Sequence, residues 1–226
     1  MAENYIFSHN QLKALLLGCG YSGISGLSLD DSDFNEATAI EALNQLSNRG
    51  LIVSDGNRFL GSKEAKLIAE RLGACEAYTA VHTRKEALPD LCCYPDEDIL
   101  ICGSETGCNN RVAVRISCFD DFFADLCDEG YLPEDFEEIA LNDEELEVFE
   151  TQLFDDYDPN CPVNPELPIL FSAERIGRDG TVQGYARVIE YYFYNYILFF
   201  DEGEIERKLC VRNELKEYLK RLMNQK

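Results

Sequence analysis

The residues with the most obvious chemical potential are a glycine cluster, ten cysteines and a surplus of carboxylates. Gly18-Cys19-Gly20-Tyr21-Ser22-Gly23 matches G-x-G-x-x-G. In a dinucleotide site such glycines let the backbone approach a pyrophosphate at a helix N-terminus. The surroundings argue against that use. A capped helix precedes the motif, residues 24–33 will not extend as a helix, and no series of βαβ units follows. A glycine-rich loop between helices is the expected structure. The cysteines stand at 19, 75, 92, 93, 102, 108, 118, 127, 161 and 210, with no C-x-x-C. The histidines are His9 and His82 alone, so zinc-finger spacings are absent. Several cysteines sit in apolar runs, which predicts buried, reduced thiols acting as small hydrophobes. Asp31-x-Asp33-x-Asn35 resembles the start of a calcium loop, but Glu36 and Ala42 occupy the places of the required Gly and Glu. Asp156-x-Asp158-x-Asn160 fails in the same way, so both are expected to be acidic turns. No nucleophile–base pair, Walker A or H-E-x-x-H occurs. The expectation is a chain with no cofactor, no metal and no enzymatic activity.

The elements that would position these residues are legible. Ser8 and Gln11 form a capping box, and Phe7 and Leu12 a hydrophobic staple, for a helix ending near Gly18. Asp33, with Glu36 three residues on, is expected to cap a second helix carrying Ala37, Ile40, Leu43 and Leu46. Gly50 should end it. Leu51-Ile52-Val53, a hairpin at Asp55-Gly56 and Arg58-Phe59-Leu60 follow, and then a helix capped by Ser62. Strands are predicted over 76–82, 91–94, 99–102 and 111–118, the last with Val112, Val114, Ile116 and Cys118 inward. Asp120 is expected to cap a helix with Phe122, Phe123 and Leu126, ending at Gly130. Further helices are expected from Pro133 and from Asn142. Residues 158–168 hold four prolines and read as a connector. A meander is expected next: 169–176 and 181–189 around Arg178-Asp179-Gly180, then 192–200 and 205–211 around Asp201-Glu202-Gly203. Asn213 should cap a final helix with Leu215, Leu219 and Leu222. Tyr191 to Phe200 is apolar or aromatic on both strand faces, the pattern of a strand covered twice. One cover is expected from the fold's own helices and the other from a further helix or a partner, which makes Tyr192, Tyr194 and Tyr196 candidate partner-binding residues.

Composition narrows the class of partner. The chain is 46% apolar and 28% charged, with a net charge of −23. A polyanion repels nucleic acid and anionic lipid, so neither is an expected partner. Residues 119–167 carry eighteen Asp and Glu and no Lys or Arg, whereas residues 207–226 carry seven Lys and Arg against Glu214 and Glu217. No apolar run of about 18 residues exists and no secretory leader is visible, so a cytoplasmic protein is expected.

Residues 46–52, Leu-Ser-Asn-Arg-Gly-Leu-Ile, and then Asp55-Gly56-Asn57-Arg58-Phe59 resemble the C-terminal half of a winged-helix domain. The expected fold is α+β: a winged-helix-like N-terminal unit (1–73) packed on an antiparallel sheet with inserted helices (74–226), with one continuous domain as the alternative. Taken whole, the order resembles the EspG-like proteins of type VII secretion. The likeness rests on the Leu-rich opening helix, the Leu46–Leu51 segment, the Asp179-Gly180 hairpin and the closing basic helix. It implies a cytoplasmic, non-catalytic adaptor or chaperone holding a protein partner, such as a helical secreted substrate. A winged-helix transcriptional regulator is the alternative, and a nucleotide-binding enzyme using the Gly18 loop comes after it. Against DNA, residues 33–48 hold Asp33, Glu36 and Glu41 and no Lys or Arg.

Overall fold

A computed structural model describes residues 4–30, 32–54, 59–105, 108–133, 168–191 and 194–224. The two expected helices after Pro133 and Asn142, the 158–168 connector up to residue 167, and the Asp55-Gly56 turn lie outside them. The described residues form a mixed α+β structure with antiparallel strands and five helices. They divide into two compact units.

The first unit comprises Met1–Tyr78, Pro89–Cys118 and Gly177–Gly180. It opens on β1 (Asn4–Ser8), a strand the sequence reading did not anticipate, and turns at once into α1 (His9–Gly18). Both bonds of the expected capping box are made: the Gln11 N–H donates to Ser8 Oγ at 3.2 Å, and the Ser8 N–H to Gln11 Oε1 at 3.0 Å. Phe7 and Leu12, the staple pair, are both fully buried.

The second helix, α2 (Glu36–Asn48), starts later than expected. Its cap is Asn35 rather than Asp33. Asn35 Oδ1 accepts from the N–H groups of Ala37 and Thr38, and the Thr38 hydroxyl accepts from the Asn35 N–H. Asp33 contributes only its carbonyl, which takes the Thr38 hydroxyl. The buried stripe also differs. Ala42 and Leu46 are buried, whereas Ile40 is 54% exposed. A spacing of three throughout drifts about 60° per step on a helix with 100° per residue, so Ala37 and Leu46 fall on opposite sides. The helix ends as expected. Gly50 takes φ +71°, its N–H donates to the Ser47 carbonyl, and the Leu51 N–H reaches back to Leu46. That is the double bond of a Schellman-type stop, which only a residue tolerant of positive φ allows cheaply.

A small hairpin follows, β2 (Ile52–Ser54) against β3 (Phe59–Gly61), and then α3 (Lys63–Ala74) under its Ser62 cap. The sheet strands of this unit are β1, β5 (Leu91–Pro95), β6 (Ile99–Glu105) and β7 (Cys108–Ser117), in the order β1-β7-β6-β5, all antiparallel. Phe7, Cys92, Tyr94, Leu100, Cys102, Val112 and Val114 from these strands share one core with Leu12, Leu15, Leu16, Leu46, Ile68 and Leu72 from the helices. The expected inward phase of β7 is present at Val112, Val114 and Ile116. It stops there: β7 ends at Ser117 and Cys118 is exposed, because the alternation lasts only as long as the strand.

The second unit comprises Thr79–Leu88, Phe119–Ile176 and Thr181–Lys226. Its strands are β4 (Ala77–Thr83, entering from the first unit), β8 (Ile169–Gly177), β9 (Val182–Tyr191), β10 (Tyr194–Asp201) and β11 (Glu204–Leu209), in the order β4-β8-β9-β10-β11. Gly180 turns the β8–β9 hairpin with φ +83°. The two-residue loop Glu202-Gly203 turns the β10–β11 hairpin with positive φ at both positions, the geometry of a type I′ turn. Helix α4 (Phe119–Asp128) begins one residue before Asp120, which therefore sits in its first turn rather than at its cap. Phe122, Phe123 and Leu126 are buried. The closing helix α5 (Arg212–Asn224) buries Leu215, Tyr218, Leu219, Leu222 and Met223.

Candidate functional site

The aromatic strand β10 has two distinct faces. Tyr194, Tyr196, Leu198 and Phe200 alternate onto one, and Ile197 and Phe199 onto the other. On the first face Tyr196, Leu198, Tyr185, Ile189 and Leu209 form a buried cluster with Tyr194 and Phe200 half-buried beside it. Of the three tyrosines considered for partner contact, Tyr192 lies outside the described residues. Tyr196 is 1% exposed and belongs to this core, so its ring is not presented to solvent. Tyr194 is half-buried and within reach of a visitor.

The same face carries an ion pair between a buried arginine and a half-buried glutamate that sequence reasoning missed. Arg187 Nη2 lies 2.7 Å from Glu174 Oε1, and Arg187 Nε donates to the same oxygen at 3.2 Å. The Ser172 hydroxyl also donates to Glu174, at 3.0 Å. The guanidinium stands 4.2 Å from the Tyr185 ring centroid. Register explains the set: Ser172 faces Arg187, Glu174 faces Tyr185, and positions two apart share a face. No local signal could have found it.

On the opposite face, Phe199 stacks on Tyr218 of α5 with centroids 4.5 Å apart. The Arg221 guanidinium lies 4.6 Å from the Phe199 centroid and 5.5 Å from that of Tyr218. Both helix residues bond to Glu206 on β11. The Tyr218 hydroxyl donates to Oε2 at 2.8 Å and Arg221 to Oε1 at 3.2 Å. The Tyr218 hydroxyl, with Arg221 after it, holds the Glu206 carboxyl below the usual carboxylate range. Burial and the same bond push the Tyr218 phenol up. Glu206, Tyr218 and Arg221 line an open cleft of about 320 Å³ with Lys208, Asn213, Glu214 and Glu217. The cleft offers fixed charges of both signs and an aromatic wall. It presents no nucleophile beside a base, so its geometry suits polar recognition of another surface.

The glycine stretch has a different use from the one its pattern suggests. The next helix begins only at Glu36, well beyond Gly23. Tyr21 instead lies over Gly73 of α3, where a Cβ would come within 2.2 Å of the ring. Gly26, at φ +87°, rests against the Tyr78 ring, where a Cβ would come within 2.7 Å. The Tyr94 hydroxyl donates to the Ser25 carbonyl and the Cys92 thiol to the Gly26 carbonyl at 3.0 Å. At the far end the Asp30 N–H donates to His9 Nδ1 at 3.0 Å, and Lys13 donates to the Asp30 carbonyl. Residues 19–30 are thus strapped along the first unit, and His9 is one of the fastenings.

Eight cysteines have described side chains, and all eight are free thiols. Cys92, Cys93, Cys102 and Cys210 are buried. Burial pushes all four thiols up, Cys92 and Cys210 to about 12. They stay protonated at neutral pH and are weak nucleophiles. Among the described residues no group of three or more His, Cys, Asp or Glu could hold a metal ion. No helix among them is long and apolar enough to cross a membrane.

No protein-family model matches the chain, and no curated protein matches its sequence. The fold is similar to that of a chain in the solved structure of the Mycobacterium tuberculosis type VII secretion system chaperone EspG5 in complex with a PE25–PPE41 dimer. The match covers 98% of this chain and 96% of that one, at 7% sequence identity and a TM-score of 0.55. At that identity the likeness is one of fold.

Proposed function

We propose that the chain is a non-catalytic protein-binding adaptor or chaperone, acting in the cytoplasm and associated with type VII secretion. The observation that carries this reading is the fold likeness to a secretion chaperone structure across almost the whole of both chains. Local features support it. The glycine-rich stretch and the buried thiols serve packing, and the β11–α5 cleft carries fixed charges with no reactive pair. The winged-helix-like unit then serves as a packing and protein-contact module. Arg49, at the end of its second helix, donates to the Ile6 carbonyl at 2.7 Å. Tyr194, at the start of the aromatic strand, is a contact point for the partner, with Tyr192 beside it in sequence and Tyr196 supporting it from the core.

The test is affinity purification of the full chain from its native host, with mass spectrometry and then co-expression of what elutes. Stoichiometric recovery of small helical secreted proteins, or of secretion-machine components, is the expected result. A partner-free elution, repeated after crosslinking, would sink the reading.

A further inference from the structure

Cys92 on β5 and Cys102 on β6 stand directly opposite each other in the β5–β6 ladder. Facing residues of an antiparallel pair project from one face, and both side chains enter the core shared with α1, α2 and α3. Cα atoms so paired lie about 4.5–5.5 Å apart, within the roughly 4.4–6.8 Å that a disulfide spans. Both residues are free thiols, Cys92 8% exposed and Cys102 fully buried. Cys93 points to the other face of the strand and stands opposite Ile101, so the register gives it no facing cysteine. After burial, the nearby Cys92 sulfur is the next influence that pushes the Cys102 thiol up.

One of the two sulfurs also holds the strap of residues 19–30. Cys92 Sγ donates to the Gly26 carbonyl at 3.0 Å, beside the bond from the Tyr94 hydroxyl to the Ser25 carbonyl. We propose that Cys92 and Cys102 are a redox-active dithiol, closed to a cross-strand disulfide by a small disulfide such as oxidised glutathione, and that closure unfastens the strap. The Cys92 thiolate attacks one sulfur of the small disulfide and expels its other half. Cys102, as thiolate, then attacks Cys92 Sγ, forming the protein S–S bond and expelling the second half. The two cysteine protons end on the two released thiols, and the protein gives up two electrons to the reagent. A disulfide sulfur carries no proton, so the bond to the Gly26 carbonyl is lost in the oxidised chain. By linkage, whatever lifts the strap favours the disulfide by the same factor. While the strap is seated, burial keeps both thiols protonated and unreactive. Oxidation therefore proceeds through local opening of the strap. The pair is independent of the adaptor reading and stands or falls separately from it.

The experiment is incubation of the full, folded chain with oxidised glutathione, quenched by thiol alkylation and followed by intact mass and unreduced peptide mapping. The expected product has lost two hydrogen atoms, joins the peptides of Cys92 and Cys102, and reverts with dithiothreitol. Amide exchange should then be about fivefold faster than in the reduced chain, the factor for one lost bond, and the change should be confined to residues 24–30. Tyr94→Phe loosens the strap and leaves both cysteines in place, so it should speed crosslinking about fivefold. Cys102→Ala should block the crosslink and leave Cys92 as a mixed disulfide with glutathione, whereas Cys93→Ala should leave the crosslink intact. No crosslink in the folded chain, linkage to another of the ten cysteines instead, or formation no faster than global unfolding would overturn the proposal. So would a Cys92–Cys102 disulfide that leaves exchange at residues 24–30 unchanged, since the strap would then be unconnected with the pair.

Discussion

The two units differ in the fastening that stands out in each. In the first, a loop of little regular structure is fastened to an apolar core by a phenol, a thiol and glycine–ring contacts. In the second, arginines are laid on aromatic rings and clamped by carboxylates: Arg187 between Tyr185 and Glu174, Arg221 between Phe199, Tyr218 and Glu206. The first device is close-packed, with His9 and Lys13 as polar fastenings at its far end. The second is polar, and its strength depends on how far each pair is withdrawn from water.

The largest expected effect tests the buried half of that contrast. Glu174→Ala removes the Glu174 carboxylate from the Arg187 guanidinium, which is 7% exposed. A loss of about 3 kcal/mol in urea unfolding is expected. Arg187→Leu should cost less, since the Glu174 carboxylate it leaves behind is 20% exposed and keeps the Ser172 hydroxyl bond. Equal losses would break the distinction drawn between the units. Next comes Gly73→Val, which drives a side chain into the Tyr21 ring and should cost about 2 kcal/mol. Adding Tyr21→Ala should restore part of it, because residues in contact do not act additively. Tyr94→Phe removes one bond to the strap and should cost about 1 kcal/mol, with faster amide exchange confined to residues 24–30. The smallest effect is on titration. The carboxyl of Glu206, ordinarily near 4.5, is depressed in the folded chain, so its contribution is present above that value and is lost as pH falls through the folded one. Tyr218→Phe should raise the Glu206 midpoint in an NMR titration and reduce the acid sensitivity of stability. An unchanged midpoint would show that the cations Arg221 and Lys208, and not the phenol, hold the carboxylate.

Legibility followed the range of the interaction. Ser8, Ser62 and Gly50 were readable as caps and stop because each acts on backbone groups within a few residues. The apolar phase of β7 and both meander hairpins were readable from alternation and from turns needing positive φ. The cap at Asn35 was missed because Asp33, two residues earlier, has equally suitable chemistry. The choice depended on where Thr38 could close the box. β1 was missed for another reason. Five residues before a capped helix are a strand only if a strand elsewhere accepts them, and the acceptor, β7, lies about a hundred residues on.

The candidate sites divide in the same way. Residue types alone made a nucleotide loop or a zinc finger poor expectations, and pointed to thiols as core material. Which charged groups meet was decided by tertiary structure. Arg187 finds Glu174 through the β8–β9 register, Arg221 finds Glu206 through the docking of α5, and Arg49 finds Ile6 across the first unit. Caps, turns and periodicity are properties of neighbouring peptide groups, so the amino-acid order determines them directly. Pairing across strands depends on register and loop closure, and a one-residue slip would reverse every face, so those partners exist only once the chain has folded.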